Sequence, residues 1–442
     1  MKIFNLRLAL SLSLIFMFNF EVNAQNSTIE EVIVSAEKRD ESLQDISQAV
    51  SALTDSDLEN KNIESFVDLS AIVPGVTVSK NEGYKTVISI RGVGNETNQN
   101  AIAAPSVAFH IDGVFIASPF SLLSDFIDID RIEVLRGPQG TLFGQNSTGG
   151  AINVISKKPT TDDYYGKADV TLGNYDLLKY RSSVNIPINE KVATRFSFSS
   201  TERDGFSENI VNGQDLDDAN NLSLRSDWVI ETSETSSLRI FAQYFDIDRN
   251  GAAMRGIDDQ TAGIRHLAQD TLSNQELTSK VFAAIYEQDL GYANLKILAS
   301  SQEDDISVTR DNDRHNLGET VAAIPGLEGT TYIKAEFRPE TSLVETKTLE
   351  VNLISNEPIL NGKLDWVAGA FYMDHKIENH IKGYRDWDAN GEIKYVCDEP
   401  FANPDYCYTH NYSFPDALDV FSVGEFDFVT DAYPSRKSYS FY

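Results

Sequence analysis

The chain has 442 residues, with 67 acidic against 37 basic side chains and a formal net charge of -30. Hydrophobic residues make up 41% of the sequence and aromatic residues 10%, which excludes a disordered chain, because disordered chains bury too little apolar surface to offset the entropy of ordering. The acidic balance argues against nucleic acid as a partner, since binding to phosphates needs clustered Lys and Arg.

Residues 1–24 are predicted to be a secretory signal peptide. A charged start with Lys2 and Arg7 is followed by the apolar run Leu8–Phe20 and by small residues that end at Ala24. The apolar run is short for a membrane span, which leaves a retained anchor as the weaker alternative. Cleavage would begin the mature chain at Gln25 and place it outside the cytoplasm, where disulfides persist.

Residues 25–45 form a polar linker that contains one β-prone stretch, Glu31-Val32-Ile33-Val34-Ser35-Ala36. An exposed stretch of this kind can add as an edge strand to the sheet of another protein, with backbone hydrogen bonds providing the affinity. The alternative is that it forms the first strand of the domain that follows.

Residues 46–158 are predicted to form a compact mixed α/β domain. Apolar residues at helical spacing predict helices over 45–60 and 63–71. Gly and Pro residues separate short predicted strands, which are Val76–Ser79, Val87–Ile90, Ala108–Ile111, Ile132–Leu135 and Ala151–Ile155.

From Tyr165 onward the pattern changes to long strands that alternate apolar and polar residues, nine in all, with a tenth starting at Ser438. Strands of about ten residues with one apolar and one polar face are typical of a transmembrane β-barrel, because a closed sheet pairs every backbone group inside a bilayer. A soluble β-sandwich also alternates. A β-sandwich, however, explains neither the polar inner face of the strands nor the regular succession of tight turns and long acidic loops.

Nine or ten strands are too few to enclose the preceding domain. A barrel of about eight strands is filled by its own side chains, whereas one of about 22 strands holds a plug. A domain of about 110 residues has a radius of gyration near 13 Å. We therefore predict that residues 165–442 are the N-terminal portion of a barrel, with about 9–10 of roughly 22 strands. The alternative is that residues 46–158 lie outside a smaller barrel.

Glycine-rich motifs recur in a fixed order between Pro74 and Pro159, and the longest runs from Leu135 to Gly144 and on to Ile155. This order resembles the plug signature of TonB-dependent outer-membrane receptors. The resemblance implies an α+β plug domain followed by an antiparallel transmembrane β-barrel. The residues that carry the plug motif are Arg91, Gly92, Asp112, Gly113, Arg131, Glu133, Arg136, Gly137, Pro138, Gly140, Gly144, Gly149 and Gly150.

The resemblance also implies a function, a location and partners. The stretch Glu31–Ala36 matches the TonB box, to which TonB, acting with ExbB and ExbD, would bind in the periplasm. The location would be the Gram-negative outer membrane, in contact with its lipid, and the cargo a scarce nutrient, with a ferric siderophore as the default. Cobalamin, haem or an oligosaccharide are alternative cargoes, and a passive plugged porin is the competing function. No cofactor is implied.

Within the plug, the resemblance implies that Arg91, Arg131 and Arg136 pair with acidic residues of the barrel wall, and internal pairs are the alternative. The plug loops 80–86, 95–106 and 115–125 are expected to contact the cargo. Aromatic residues in or near these loops are candidates for stacking on it, and they are Tyr84, Phe109, Phe115 and Phe120.

Other chemistry has little support in the sequence. Cys397 and Cys407 lie close together outside the cytoplasm, which predicts a local disulfide. Two thiols and scattered histidines are too few ligands for a structural metal site, and none is predicted. The sequence lacks a G-x-S-x-G, Walker or H-E-x-x-H motif, so no enzyme is predicted.

Overall fold

The computed structural model describes residues 33–35, 38–39, 41–44, 46–81, 83–94, 105–118, 120–123, 126–144, 146–256, 259–269, 271–311, 314, 340–362, 364–383, 395–397, 407–409 and 428–441. Within these ranges no helix has both the length and the apolar character needed to cross a membrane. Short strands up to Ser156 form the plug domain, and longer strands from Tyr165 onward form the barrel wall.

The plug domain is built on a mixed sheet with the strand order β3-β9-β10-β7-β8, beside a small antiparallel sheet β4-β5-β6. In the larger sheet β10 runs parallel to β7 and antiparallel to β9. The helical segments are Asp55–Asn60, Phe66–Asp68, Leu69–Ile72, Ser121–Leu123 and Gly140–Phe143. The strands are β1 (Ile33–Val34), β2 (Glu41–Ser42), β3 (Val50–Thr54), β4 (Val76–Asn81), β5 (Lys85–Ile90), β6 (Val93–Gly94), β7 (Val107–Ile111), β8 (Val114–Phe115), β9 (Ile129–Arg136) and β10 (Gly150–Ser156).

The helix predicted over 45–60 is wrong in its first half. Val50–Thr54 is a strand that pairs with β9, because pairing in the sheet overrides a weak local preference for helix. The helix begins at Asp55, where Thr54 and Asp57 form a capping box: the Thr54 hydroxyl accepts from the Asp57 N–H at 3.3 Å, and the Asp57 carboxylate accepts from the Thr54 N–H.

Two tight hairpins explain two of the sequence motifs. Arg91-Gly92 joins β5 to β6, and Asp112-Gly113 joins β7 to β8. All four residues have positive φ, between 52° and 84°. This is the pattern of a two-residue type I′ turn, which matches the twist of the flanking strands and favours Gly at its second position.

The barrel wall is an antiparallel sheet with the order β11-β12-β13-β16-β17-β19-β20-β21-β22, after which β25 and β26 both pair with β22. The nine predicted wall strands are confirmed. The tenth consists of β25 and β26, which pair with β22 in one continuous register, so it begins at Phe428, ten residues before the predicted start at Ser438. The elements are β11 (Tyr165–Leu172), β12 (Leu178–Asn189), β13 (Val192–Arg203), β14 (Ser207–Asn209), β15 (Gln214–Leu216), β16 (Ala219–Ser233), β17 (Ser236–Arg249), β18 (His266–Leu267), β19 (Asn274–Asp289), β20 (Ala293–Thr309), β21 (Glu340–Ser355), the helix Ile359–Gly362, β22 (Val367–Gly383), β23 (Tyr395–Cys397), β24 (Cys407–Thr409), β25 (Phe428–Ala432) and β26 (Ser435–Phe441).

The two edges of the wall differ in their connections. Turns of two or three residues at 190–191, 234–235 and 290–292 lie along one edge, here called the turn rim, together with the eleven-residue connection 356–366. The opposite edge, the loop rim, carries longer connections, among them 204–218 and 250–273. These two connections hold a small sheet of β14, β15 and β18 that the sequence pattern did not predict, because strands of two or three residues are too short to show a period.

Side chains alternate between the two faces of the wall. On β13, Arg195, Ser197 and Ser199 are buried against the plug side, whereas Phe196 is exposed. An apolar outer face and a polar inner face are the expected arrangement for strands that cross a lipid bilayer. Large apolar residues exposed on the wall include Val170, Leu172, Phe196, Leu224, Phe282 and Leu349.

The plug domain lies on the concave, inner side of the wall. Its main apolar core, which contains Phe66, Leu69 and Ile132, continues without a break into side chains of the wall such as Val281 and Leu298. The plug and this part of the wall therefore share one hydrophobic core.

Candidate functional site

The β-prone stretch near the N-terminus is docked on the plug where the structure describes it. Ile33 and Val34 pair with Ser42 and Glu41 in a two-stranded antiparallel ladder, and Val34 is fully buried. The Ser35 N–H donates to the Glu133 carboxylate at 2.8 Å. The other residues of the stretch, Glu31, Val32 and Ala36, lie outside the described residues.

Two basic residues attach the same segment to the turn rim. The Lys38 Nζ lies 2.5 Å from the Glu350 carboxylate. Arg39 pairs with Asp365 at 2.9 Å and donates to the backbone oxygen of Trp366 at 3.0 Å. Segment 33–42 is therefore held between the plug and the turn rim.

Glu133 is the carboxylate that organises this end of the plug. Its side chain is fully buried and accepts from the Arg131 Nε at 2.9 Å and from the Asn153 Nδ2 at 3.3 Å, in addition to Ser35. Burial would lower the pKa of Arg131, but the charge of Glu133 and its hydrogen bond raise that pKa above its usual value.

The expectation that the plug arginines pair with the wall is wrong for Arg131. Its partners are Asp130 and Glu133, because residues two apart on a strand share a face and Arg131 therefore meets Glu133 on β9. Arg91 occupies a hairpin turn with its side chain exposed, and the Arg136 N–H donates to the Ala49 oxygen. Neither of these two forms an ion pair with a wall residue in the described ranges.

The glycines of the longest motif serve close backbone packing. The Gly137 N–H donates to the Gly149 oxygen at 3.0 Å, which closes the loop between β9 and β10 around Pro138 and the helix that starts at Gly140. A Cβ at Gly150 would lie 2.2 Å from the Leu135 oxygen, so no side chain fits there. Gly144, with φ of 70°, ends the short helix in the left-handed region.

Basic residues of the wall bind carboxylates of the plug, whereas arginines of the plug were expected to bind carboxylates of the wall. Asp112 is fully buried and lies 2.6 Å from the Arg225 guanidinium and 3.3 Å from that of Arg239. Burial would raise the pKa of Asp112, but Arg239, Arg225 and the Ser156 N–H together lower it to about 2. Asp112 therefore stays charged at every physiological pH.

Two more plug carboxylates are held in the same way. Asp128 binds the Arg195 Nη2 at 2.7 Å, and Glu64 binds Lys179 at 2.9 Å and Arg181 at 3.4 Å. These wall cations were missed by the sequence analysis as partners. The alternation of the strands places these cations on the polar, inward face of the wall, but it does not show which plug residues they pair with.

Near the loop rim, the tip of the β4–β5 hairpin meets the wall through aromatic and charged groups. The Tyr84 hydroxyl donates to the Glu340 carboxylate at 2.5 Å, and Lys85 lies 3.1 Å from it. Arg310 adds a second cation at 3.6 Å. The Phe120 ring stacks on Tyr84 with a centroid separation of 6.2 Å.

The four aromatic residues expected to contact cargo are all buried, with exposed fractions between 1% and 5%. Tyr84 and Phe120 lie together near the loop rim. Phe109 lies in the plug core, edge-on to Phe66 at 4.6 Å, and Phe115 packs on Phe371 of the wall. In this structure all four rings form part of the packing, and Tyr84 and Phe120 belong to a buried cluster with wall residues.

The remaining predicted sites are described in part. The backbone places Cys397 directly opposite Cys407 in the ladder between β23 and β24, while the two side chains lie outside the described residues. Among the described side chains, no group of three His, Cys, Asp or Glu residues is arranged to hold a metal ion. Burial, together with the charge of Lys38, lowers the pKa of His110 to about 3, so this histidine is neutral.

Comparison with known proteins connects this geometry with one family. Residues 42–151 match the family model described as TonB-dependent Receptor Plug Domain. The iron-regulated outer membrane virulence protein of Vibrio cholerae is 33% identical over 157 residues, which cover 34% of this chain and 24% of that protein. The pesticin receptor of Yersinia pestis is 30% identical over 172 residues, which cover 37% of this chain and 24% of that protein.

Solved structures extend the similarity to the wall. The ferric yersiniabactin uptake receptor FyuA from Yersinia pestis superposes with a TM-score of 0.63 at 16% identity, covering 77% of this chain and 50% of that one. The pyoverdine receptor FpvA from Pseudomonas aeruginosa also gives 0.63 at 16% identity, covering 92% and 55%. The chain thus spans about a quarter of the length of the curated relatives it matches and about half of the solved receptors.

Proposed function

We propose that this chain, which carries a TonB-dependent receptor plug domain followed by the first strands of an outer-membrane β-barrel, works in the energised import of a ferric siderophore. The observation that carries the proposal is the plug itself: a matched plug domain lies on the inner side of an alternating strand wall, where it would block the passage through a complete barrel. A blocked passage needs an energy source to open it.

The segment 31–36 is the proposed attachment point for TonB, and ExbB and ExbD would supply the energy to TonB. Two observations support this role. The basic residues Lys38 and Arg39, which follow the segment closely, pair with Glu350 and Asp365 at the turn rim. This rim faces the periplasm in outer-membrane barrels because their periplasmic turns are short. The described residues of the segment also already pair as a strand, which is the conformation that strand addition to a partner sheet requires.

Ferric siderophore is the proposed cargo class because the named relatives include an iron-regulated outer-membrane protein and the similar structures include receptors for ferric yersiniabactin and pyoverdine. Cobalamin is the second candidate, since a vitamin B12 transporter of Vibrio vulnificus is 27% identical over 186 residues. Contact with the cargo is proposed near the loop rim, around Tyr84 and Phe120.

The decisive experiment is deletion of Glu31–Ala36 in the full-length protein. Uptake of iron-55 from a panel of ferric siderophores should stop, while binding of the same siderophores to outer membranes persists. A matched pair of substitutions refines the result, because Pro cannot donate to a strand ladder whereas Thr favours strands. V32P should abolish uptake and V32T should retain it. Uptake that survives the deletion would contradict the proposal and favour a passive plugged porin.

The same panel tests the cargo class. Iron-55 uptake with no uptake of labelled cobalamin supports the siderophore assignment. Energised uptake of cobalamin alone would show that the cargo is cobalamin and not a siderophore, and it would still support energised transport.

A further inference from the structure

The plug contacts the wall in two different ways on its two sides. On one side, the described wall strands β17, β19, β20, β21 and β22 contribute buried apolar side chains to the cores that they share with the plug. We call this side the apolar seam. Its wall residues are Phe241, Phe245, Ile247, Leu277, Val281, Ala283, Ile285, Leu298, Ile306, Val308, Val344, Met373 and Ile377.

On the other side, where the plug meets β11, β12 and β13, no described side chain of these three strands belongs to a buried apolar cluster. The contacts there are ion pairs: Lys167 with Glu59, Lys179 and Arg181 with Glu64, and Arg195 with Asp128. We call this side the polar seam.

A cavity of about 390 Å³ lies within the polar seam, between the plug helix Asp55–Asn60 and the first wall strands. Its charged lining residues pair with one another or with neighbours, as in the pair between Lys157 and Asp55 at 2.5 Å and the pair between Arg181 and Asp169 at 2.9 Å. The charged lining consists of Asp55, Glu59, Glu64, Asp128, Lys157, Lys167, Asp169 and Arg181.

The two seams respond differently to separation. Parting the apolar seam exposes apolar surface to water, which is unfavourable in proportion to the area. Parting the polar seam returns both partners of each ion pair to water, which is nearly balanced because the regained hydration offsets the lost attraction. The pairs differ in exposure: Lys167 and Glu59 are 55% and 49% exposed, whereas Arg195 and Asp128 are 4% and 9% exposed.

We propose that the polar seam is the transit site of the cargo: when the receptor is energised, the plug separates from β11–β13 around this cavity and stays attached along the apolar seam. The solute that passes is hydrophilic, since eight charged side chains line the cavity. The lining also includes Leu58, Ile63, Phe126, Ile127, Ile129 and Phe198. This inference rests on the proposed import function and adds the side of the plug on which the path opens.

The first test bridges the polar seam. The pair E59C/K167C, treated with a short bifunctional maleimide in cells that make the full-length protein, ties the plug helix to β11. Iron-55 uptake of the siderophore best imported by the wild type should fall by about tenfold or more, because a gate that cannot open blocks the transport step. Before the reagent is added, the same variant should import like the wild type, which shows that it folds.

A matched control uses the same helix and the same reagent. Asp57 and Lys61 form an exposed ion pair within the plug, so bridging the D57C/K61C pair should leave uptake unchanged. Normal uptake by the bridged E59C/K167C variant would overturn the proposal.

The second test asks which side opens. A hydrophilic thiol reagent should react faster at S183C, in the cavity, when siderophore and energy are both present, whereas its reaction at A283C, in the apolar seam, should not change. Faster reaction at A283C, or no change at S183C, would overturn the proposal. A wild-type protein that imports no siderophore of the panel would instead defeat the proposed function, so the two failures are distinguishable.

Discussion

The wall strands on the two sides of the plug follow the same alternating pattern, but they differ in the side chains that face the plug. Strand β13 presents Arg195 and Ser197 to the plug, whereas β19 presents Val281, Ala283 and Ile285. Full burial of an aliphatic side chain contributes about 1.5–3 kcal/mol. The attraction within an ion pair is largely offset by the desolvation of its two charges, as for the buried pair of Arg195 and Asp128. One wall can therefore hold a plug firmly along one side and release it along the other.

The largest effect is expected at the boundary between the two seams, where Asp112 meets Arg225 and Arg239. D112N keeps the shape of the side chain but removes its charge, which leaves buried guanidinium groups short of a partner. We expect a loss of about 3–5 kcal/mol in the free energy of unfolding, measured in detergent.

The pKa of Asp112 gives this prediction a pH signature. Because that pKa is lowered from 3.8 to about 2, the stability contributed by its charge is present above pH 3.8 and is lost as the pH falls through about 2. The difference between D112N and the wild type should therefore be constant from pH 5 to pH 8. A difference that disappears at pH 5 would contradict the assignment.

The apolar seam is tested by L298A, which removes a buried side chain of the wall. Leu298 packs next to Gly113 of the plug: a Cβ added to that glycine would lie 3.5 Å from the Leu298 side chain. The cavity and the lost burial should destabilise the protein by about 2–5 kcal/mol. Thermal unfolding in detergent measures the loss. T171A, in the lining of the cavity on the polar side, is the matched control and should stay close to the wild type.

A smaller, pH-dependent effect is expected at His110, which lies between the rings of Phe115 and Phe143 and is influenced by the charges of Lys38 and Glu350. Its pKa is lowered to about 3, so the unfolded chain takes up a proton below pH 6.5 that the folded protein does not. The wild type should lose about 2 kcal/mol of stability between pH 7 and pH 5 through this group.

H110F removes the titrating group and should not show that loss. Unfolding measured at both pH values gives the comparison. An equal loss in the variant and in the wild type would show that His110 is protonated in the folded protein.

The smallest effect is expected in the polar seam. K167A breaks the exposed pair with Glu59 and should cost less than about 1 kcal/mol in thermal unfolding. A loss as large as that of L298A would remove the difference between the two seams.

The sequence predicted the elements whose pattern repeats over many residues and missed those set by distant contacts. Arg91-Gly92 and Asp112-Gly113 were singled out as motif residues, although the hairpin turns that they form were not predicted. The period-two alternation of the wall strands was readable, because it follows from local geometry. The strand Val50–Thr54 was not, because its partner β9 lies some 80 residues away in sequence.

For the candidate site, the sequence predicted the segment 31–36 proposed to bind TonB and singled out the motif residues, but it did not predict their contacts. The inward face of Arg195, Arg225 and Arg239 follows from alternation, whereas their plug partners depend on how two domains fit together. The same limit applies to the aromatic candidates. Their burial in shared cores, as for Phe109, depends on packing that no local pattern encodes.

Amide hydrogen exchange of the protein in outer-membrane vesicles, at low and at high salt, tests the uneven attachment of the plug most directly. Raising the salt from about 0.01 M to about 1 M shortens the screening length from about 30 Å to about 3 Å. Exchange should then accelerate at residues 55–64 and 126–129, which border the polar seam, while β7 and β10 stay protected. Equal acceleration throughout the plug, or none beside β11–β13, would contradict the account.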